Sequence, residues 1–390
     1  MVAGPACPVA RRVANERMAD LPSRSEESSG SMRVIQVIGS TGGGGAEAFF
    51  VRLSNALHQA GEDLVAVSQP GSQVAGELLP GLPQQQVRMR GVWDYWARWR
   101  LKRVIRQIDP AVVQTWMGRA TRLVSLPRGR RPIHLARLGG YYDLRGYRHA
   151  HAWVGNTAGV CDYLVGNGFP AGGVHHVGNF VDLAQDVDPL RRLELRQQYG
   201  VPEEAMLIVS AGRLHPIKGF SDLLGAFSRL PPSVGEQPVW LLIAGAGELA
   251  SALRDQAGHL GIGKRLCWAG WQRDIGQVLD IADIVVCPSR HETLGNVILE
   301  AWAHGKPVVS TATRGALEIV IDQQNGLIVP CARPDDLASA LRELLTADDR
   351  TRSSLGEAGR STVRLHHCRQ AVVDQYRALY RQLAGSAADA

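Results

Sequence analysis

Two doubly wound α/β domains facing a cleft, about 32–183 and 184–365, are predicted by three observations on this 390-residue chain. Apolar runs of strand length alternate with helix-length stretches from Met32 onward. The alternation restarts after a polar linker at 181–189. In both halves an apolar run ends in a glycine or proline turn that opens a helix, the order of a parallel sheet with crossover helices. A hydrophobic content of 45% lets two domains of ordinary size each bury a core.

Residues 1–31 mix Pro, Ser and charge with neither strand nor helix period, so they are expected to be a disordered extension, with Met32 a possible natural start. The first strand, 32–38, runs into Gly39-Ser40-Thr41-Gly42-Gly43-Gly44-Gly45 and then a helix over 48–60. Such a loop either lets backbone approach a ligand closely or is a plain flexible turn.

The segment from Arg88 to Arg148 holds fifteen Lys and Arg against Asp94, Asp109 and Asp143, a net +12 in a chain of net +6. Within it, 93–108 reads as a helix. At roughly 100° per residue Ala97, Leu101, Val104, Ile105 and Ile108 share one face. Trp96 and Trp99 fall opposite, among Arg100, Lys102, Arg103 and Arg106. Indoles off the core stripe and mixed with cations suit an anionic membrane surface, with a basic protein-binding face or an anionic glycan as alternatives. No element that reads nucleic acid is identifiable.

In the second half, 206–213 reads as a strand, 214–219 as a loop and 220–230 as a helix. Arg213 and Lys218 therefore flank the carboxyl end of a central strand, where open α/β sheets bind ligands. A bidentate fork and a mobile point charge suit a diphosphate. The strand at 239–244 leads into Gly245-Ala246-Gly247-Glu248-Leu249-Ala250, which resembles a dinucleotide fingerprint. The next strand, 265–269, ends in Gly270-Trp271 with no acid for a ribose of NAD, so close packing of strand and helix is the preferred reading.

Ile281 to Val286 reads as a buried parallel strand, Pro288-Ser289 ends it, and 294–303 reads as a helix. The free N–H groups at that helix start favour phosphate. Glu292 precedes them, and Glu300 lies one turn past Asn296 on the same side. A nucleotide diphosphate sugar has the matching order of parts, a polyol on each side of a double charge.

With Gly305-Lys306-Pro307 following, the stretch 287–310 resembles the Glu-x7-Glu signature of the retaining family-4 glycosyltransferases, which have the two-domain GT-B fold. The family form usually has Gly-Phe-Gly after the first Glu; here the residues are Thr293-Leu294-Gly295. The resemblance spans most of 32–385 and implies two Rossmann-like domains, an acceptor-side one at 32–183 and a nucleotide-sugar-binding one at 184–365. Residues 366–390 would be a helix and tail crossing back to the first domain, with Tyr376 and Tyr380 in the helix. It implies that Arg213 and Lys218 grip the donor diphosphate, Glu292 fixes the sugar and Glu300 the ribose. Leu294, Gly295, Asn296 and Val297 would line the donor site, with Gly44 and Gly45 over the phosphates and Gly270-Trp271 at the base. Val177-Gly178-Asn179 resembles the family's crossing between domains. Where many relatives place a histidine at the end of the strand near 138, this chain has Arg137-Leu138, and His134 lies earlier. Tyr141, Tyr142 and the cations at 145–148 look like relatives that build bacterial lipopolysaccharide or surface polysaccharide.

The implied activity is metal-independent hexosyl transfer from a UDP- or GDP-linked sugar, with no cofactor, to a glycan or lipid-linked acceptor, in the cytoplasm or on the inner face of the membrane. A sugar-nucleotide epimerase or hydrolase of the same fold, a nicotinamide-dependent oxidoreductase and a membrane adaptor are the other classes considered. Asp186-Val187-Asp188 resembles a metal-holding triplet but lies in the linker with no strand before it. Cys7, Cys161, Cys267, Cys287, Cys331 and Cys368 contain no Cys-x-x-Cys pair, so reduced thiols are expected.

Overall fold

The computed structural model describes residues 32–386, so the expectations for 1–31 and Cys7 lie outside the described residues. Two parallel sheets carry the chain. The first contains β1 (Val34–Ile38), β2 (Leu64–Ser68), β3 (Gln84–Gln86), β4 (Val112–Trp116), β5 (Ile133–Leu138), β6 (Ala152–Gly155) and β7 (Val174–His176), in the order β3-β2-β1-β4-β5-β6-β7. The second contains β8 (Met206–Ala211), β9 (Ser233–Val234), β10 (Gln237–Ala244), β11 (Leu266–Gly270), β12 (Ile284–Cys287), β13 (Val308–Thr311) and β14 (Leu327–Val329). Its order is β11-β10-β8-β12-β13-β14, with β9 antiparallel on β10.

Central strands are buried end to end, Val34–Ile38 and Ile284–Cys287 among them, because helices cover both faces. The strand order reverses between β1 and β4 and between β8 and β12. Those switch points open crevices at the carboxyl ends of the strands, which positions the loops after β1, β8 and β12 for ligands. The last helix, Arg369–Ser386, returns to the first domain as the resemblance implied. Val372, Tyr376, Leu379 and Tyr380 pack into its core, and the Tyr380 hydroxyl accepts from Gln36 Nε2 at 3.0 Å and donates to Gln114 Oε1 at 2.7 Å.

Four helix boundaries differ from the sequence reading, and the helix expected over 48–60 is Gly45–Gln59. The basic helix is Tyr95–Ile108, capped by Asp94, whose carboxylate accepts from Ala97 N. Helix Phe220–Phe227 stops short of Leu230 because Pro231 disfavours helical backbone before it. The helix expected over 294–303 is Asn296–Ala303, since Gly295 at φ 83° is left-handed and cannot continue a helix backwards. Among the described residues all five cysteines are free.

Candidate functional site

The loop after β12 carries Glu292. Its Oε2 accepts from Lys218 Nζ at 2.5 Å and from Ser289 Oγ at 3.0 Å, so two elements fix one carboxylate. Lys218 reaches it from a single 3-10 turn, Pro216–Lys218, that lies against the same loop: Arg290 N donates to Ile217 O at 2.8 Å. Gly219 makes this approach possible. It is left-handed at φ 67°, and a Cβ there would stand 1.9 Å from Pro288 O. Arg213, at the end of β8, is exposed and has no ion-pair partner among the described residues. A free guanidinium at a switch point is a ready anion site.

The N–H groups of Asn296 and Val297 likewise have no protein partner, while Ile298 N closes onto Gly295 O at 2.9 Å. Leu294 is buried beneath this turn. The glycine loop of the first domain approaches it from the other side: a Cβ on Gly45 would stand 3.3 Å from Asn296 Nδ2. Gly44 is extended, and its Cβ would crowd Glu47 Oε2 at 2.9 Å, with Glu47 Oε1 accepting from Ser40.

Glu300, one turn along, accepts from Arg52 Nη2 of the first domain at 3.0 Å. Gly270 O accepts from Gly245 N at 2.7 Å, which sets the Trp271 loop beside the ends of β10 and β8; its indole is 62% exposed. The structure thus brings Glu292 onto Lys218, Gly45 onto Asn296 and Glu300 onto Arg52. The glycines of the dinucleotide-like turn serve packing. Cβ atoms on Gly245 and Gly247 would stand 1.9 Å from Gly212 O and 2.4 Å from Leu214 O, so the close approach of the neighbouring loop accounts for both glycines.

Four further residues escaped the sequence reading as site members. Arg52 looked like one cation among many on a helix. Arg137 is buried with no carboxylate on it: Nε donates to Tyr376 Oη at 3.0 Å and Nη2 to Asn179 Oδ1 at 2.5 Å. Its guanidinium lies 4.4 Å from the Trp116 ring centre and 4.8 Å from that of Phe49. Asn179 then donates to Asn296 Oδ1 at 2.9 Å, joining the first domain to helix Asn296–Ala303. Glu318 crosses the cleft to accept from the N–H groups of Ala158 and Gly159 at 2.8 and 2.9 Å. Arg137 had a signal in its quoted strand-end position and Asn179 in the quoted crossing between the domains; Arg52 and Glu318 had none.

His134 is fully buried on β5, its Nε2 2.9 Å from Thr115 Oγ1, and burial pushes the ring well below its ordinary pKa. It faces the interior of the first domain. Asp188 stands at the N-cap of Pro189–Gln198, and Asp186 is almost fully exposed, 3.7 Å from Arg360. Trp96 and Trp99 are 78% and 54% exposed, in edge contact at 6.4 Å, with Arg103 over Trp99 at 5.8 Å.

Two family models cover the chain: Glycosyltransferase Family 4 over residues 43–185 and Glycosyl transferases group 1 over 191–362. The chain is 32% identical over 336 residues to the lipopolysaccharide core biosynthesis glycosyltransferase LpsE of Rhizobium meliloti, covering 85% of this chain and 94% of that one. To LpsD of the same organism, also a lipopolysaccharide core biosynthesis glycosyltransferase, it is 29% identical over 86% and 95%. Among solved structures it is similar to Anabaena HepE in complex with UDP and glucose, at TM-score 0.77 and 18% identity over 90% of this chain and all of that one. It is also similar to WaaG, a glycosyltransferase involved in lipopolysaccharide biosynthesis, at TM-score 0.67 and 17% identity over 88% and 99%.

Proposed function

The chain belongs to the family-4 glycosyltransferases of GT-B fold, and from that premise we propose that it moves a hexosyl group from a UDP- or GDP-linked sugar to a saccharide of the lipopolysaccharide core. The observation that carries the donor reading is the convergence of Lys218, Glu292 and the open N–H groups of Asn296 and Val297, with Arg213 unpaired at the neighbouring strand end. HepE bound to UDP and glucose, and the names of LpsE and LpsD, support donor and acceptor class respectively.

Arg213, Lys218 and the helix end hold the diphosphate and stabilise the charge it gains. Glu292 fixes the sugar, Glu300 the ribose, and Trp271 stacks on the base. The bond from the anomeric carbon to the diphosphate oxygen breaks while the acceptor oxygen bonds the same face. The acceptor proton passes to the leaving phosphoryl oxygen, so retention needs no enzyme nucleophile. Fixed cations take the part that a metal has elsewhere.

The test incubates the protein with UDP- and GDP-sugars and a lipid-free core saccharide in excess chelator. Proton NMR of the product should show a new glycosidic bond with the donor's anomeric configuration. An inverted linkage, or turnover only with manganese or magnesium, overturns the mechanism and returns Asp186 and Asp188 to candidacy. Free sugar released with no transfer to saccharide favours the hydrolase or epimerase reading instead.

We place the enzyme in the cytoplasm, on the inner face of the membrane through Trp96, Trp99, Arg100, Arg103 and Arg106; no described helix is long and apolar enough to cross a bilayer. Trp99→Ala with Arg103→Glu and Arg106→Glu should weaken binding to anionic vesicles, most at low salt, and leave turnover of a soluble acceptor unchanged. Equal loss on soluble and membrane acceptors would put this face in the catalytic domain's packing.

A further inference from the structure

A cavity of about 430 Å³ opens beside the amino end of helix Tyr95–Ile108, lined by Pro70, Arg88, Arg90, Asp94, Trp96 and Arg100. Its charge is unbalanced. The guanidinium groups of Arg88, Arg90 and Arg100 are exposed and make no hydrogen bond or ion pair among the described residues, and of the three Arg90 alone acts through its charge on the Asp94 carboxylate, lowering its pKa. The one acid present is already committed, since Asp94 Oδ1 accepts from Ala97 N and Oδ2 from Arg90 N, both at 3.0 Å. Three cations against one carboxylate leave an excess positive charge on a concave surface, which an anion among them would offset.

The cavity is also placed for substrate. Pro70 follows β2, and Arg88 and Arg90 follow β3; both strands are parallel to β1, so these loops lie at the same sheet edge as the glycine loop. The two are tied together directly. Gln69 Nε2 donates to Gly39 O at 2.7 Å while its Oε1 accepts from Met89 N at 3.0 Å, and Arg119 Nη1 donates to Gly39 O at 2.9 Å. That glycine loop in turn meets Asn296 at the donor helix. An acceptor whose hydroxyl reaches the anomeric carbon beside Asn296 therefore extends over the glycine loop toward this cavity.

We propose that the cavity is an acceptor subsite for an anionic sugar, one bearing a phosphate or a carboxylate, with the guanidinium groups on the anion and the Trp96 indole under the C–H face of the ring. This rests on the glycosyltransferase reading. Arginine forks match both anions, and each charge-assisted contact adds specificity as well as affinity. A flat lipid surface would meet the helix face of Trp96, Trp99, Arg100, Arg103 and Arg106, of which Trp96 and Arg100 also border the cavity. It has no geometric reason to reach Arg88 and Arg90, which come from strand-end loops rather than from that helix.

The experiment titrates the full chain calorimetrically with glucose 6-phosphate, glucuronate and glucose while UDP, or GDP if only that binds, fills the donor diphosphate site. Both anionic sugars should saturate, at least about tenfold more tightly than glucose. Arg88→Gln/Arg90→Gln should cost each about tenfold or more, the scale of one lost charged hydrogen bond. Trp99→Ala/Arg103→Glu should leave these affinities unchanged. Nucleotide affinity in the double glutamine variant should equal wild type, which shows it folded. Anionic sugars binding no better than glucose, or indifference of binding to Arg88 and Arg90, overturns the subsite. Loss of anionic-vesicle binding by the glutamine variant without any sugar binding makes it a headgroup site instead. Absence of nucleotide binding with the sugar titrations intact would strike the donor reading alone.

Discussion

Glu300 has two possible employments, and their energies differ enough to separate by kinetics. Its Oε1 accepts from Arg52 Nη2 across the cleft at 3.0 Å, with the Arg52 and Glu300 side chains 37% and 19% exposed. An ion pair this open to water contributes about 0–1 kcal/mol. Hydrogen bonds from a ribose diol to the same carboxylate are worth ~1.5–3 kcal/mol, so under the proposed ribose role a bound donor would displace Arg52 from it. Arg52→Ala should therefore leave the donor KM at or slightly below wild type and cost at most ~1 kcal/mol of stability. Glu300→Gln should raise the donor KM roughly 10- to 100-fold with kcat near wild type, because ribose does not react and its binding is uniform along the reaction. Initial-rate measurements with donor varied, on both single variants and the double, give the coupling between the sites. If the two variants raised KM equally, and the double no further, Glu300 would be an interdomain clamp and the ribose assignment would fail.

If the carboxylate acts on a ring gaining positive charge, as proposed, Glu292→Gln should instead lower kcat by roughly 10² to 10³ even at saturating donor; rescue by excess donor would count against that role. Gly219→Ala should destabilise the chain by about 1–3 kcal/mol in thermal melts and reduce turnover by loosening Lys218 from Glu292. The cause is a Cβ 1.9 Å from Pro288 O on a left-handed backbone, so unchanged melting would contradict the described packing. Burial pushes the Lys306 ammonium down to about 8. Its folded pKa thus lies below the roughly 10.4 of an unfolded lysine. Below pH 8 both states are charged and the cost of burying the charge is present in full. Between about 8 and 10.4 the unfolded chain holds more protons, so this group makes stability rise with pH. Lys306→Met should remove that rise, read as the difference between melts of the two proteins from pH 7 to 10.5; parallel curves would refute it.

Much of the fold was legible because it is written locally, as were those candidate-site residues that belong to a single motif. Short apolar runs ending in glycine or proline located β1, β8 and β12, and two glutamates eight apart around a helix start located the turn where Glu292 meets Lys218. The tryptophans off the apolar stripe of Tyr95–Ile108 were found exposed for the same reason: helical period is a property of neighbouring residues. What escaped depends on contacts between distant segments. Arg52 and Glu300 are 248 residues apart, and only the closing of one domain on the other makes them partners. The first turn of the donor helix was misplaced by two residues because Gly295 is left-handed, a choice fixed by loop packing and not by propensity. The Gly245 and Gly247 pair was rightly read as scaffold, yet its cause lies in the adjoining loop, where Gly212 O and Leu214 O leave no space for a Cβ.

The chemistry of the cleft contacts bears on how the two domains move. The apolar cores stay within each domain: one group of buried side chains gathers around β1, β4 and the returning helix Arg369–Ser386, and others around β8, β10 and β12. Across the cleft the named contacts are instead polar: Arg52 to Glu300, Asn179 to Asn296, Glu318 to two backbone N–H groups, and Arg314 stacked 4.9 Å from the Tyr141 ring centre. Water can replace each of these at a net cost of about 0.5–1.5 kcal/mol, whereas separating two apolar faces would expose surface at ~25 cal/mol per Å². Opening therefore costs a few kcal/mol and leaves both cores intact, which suits hinge motion around a linker. Arg137 sets the limit of that motion on one side. It is held by the Tyr376 hydroxyl and two aromatic faces, so its bond to Asn179 keeps the linker fixed to the first domain while the Asn179–Asn296 bond is the one that breaks. Helix Asn296–Ala303 could then swing away with Glu292 and Lys218 still paired, so under the proposed donor role opening would release the nucleotide without dismantling its site.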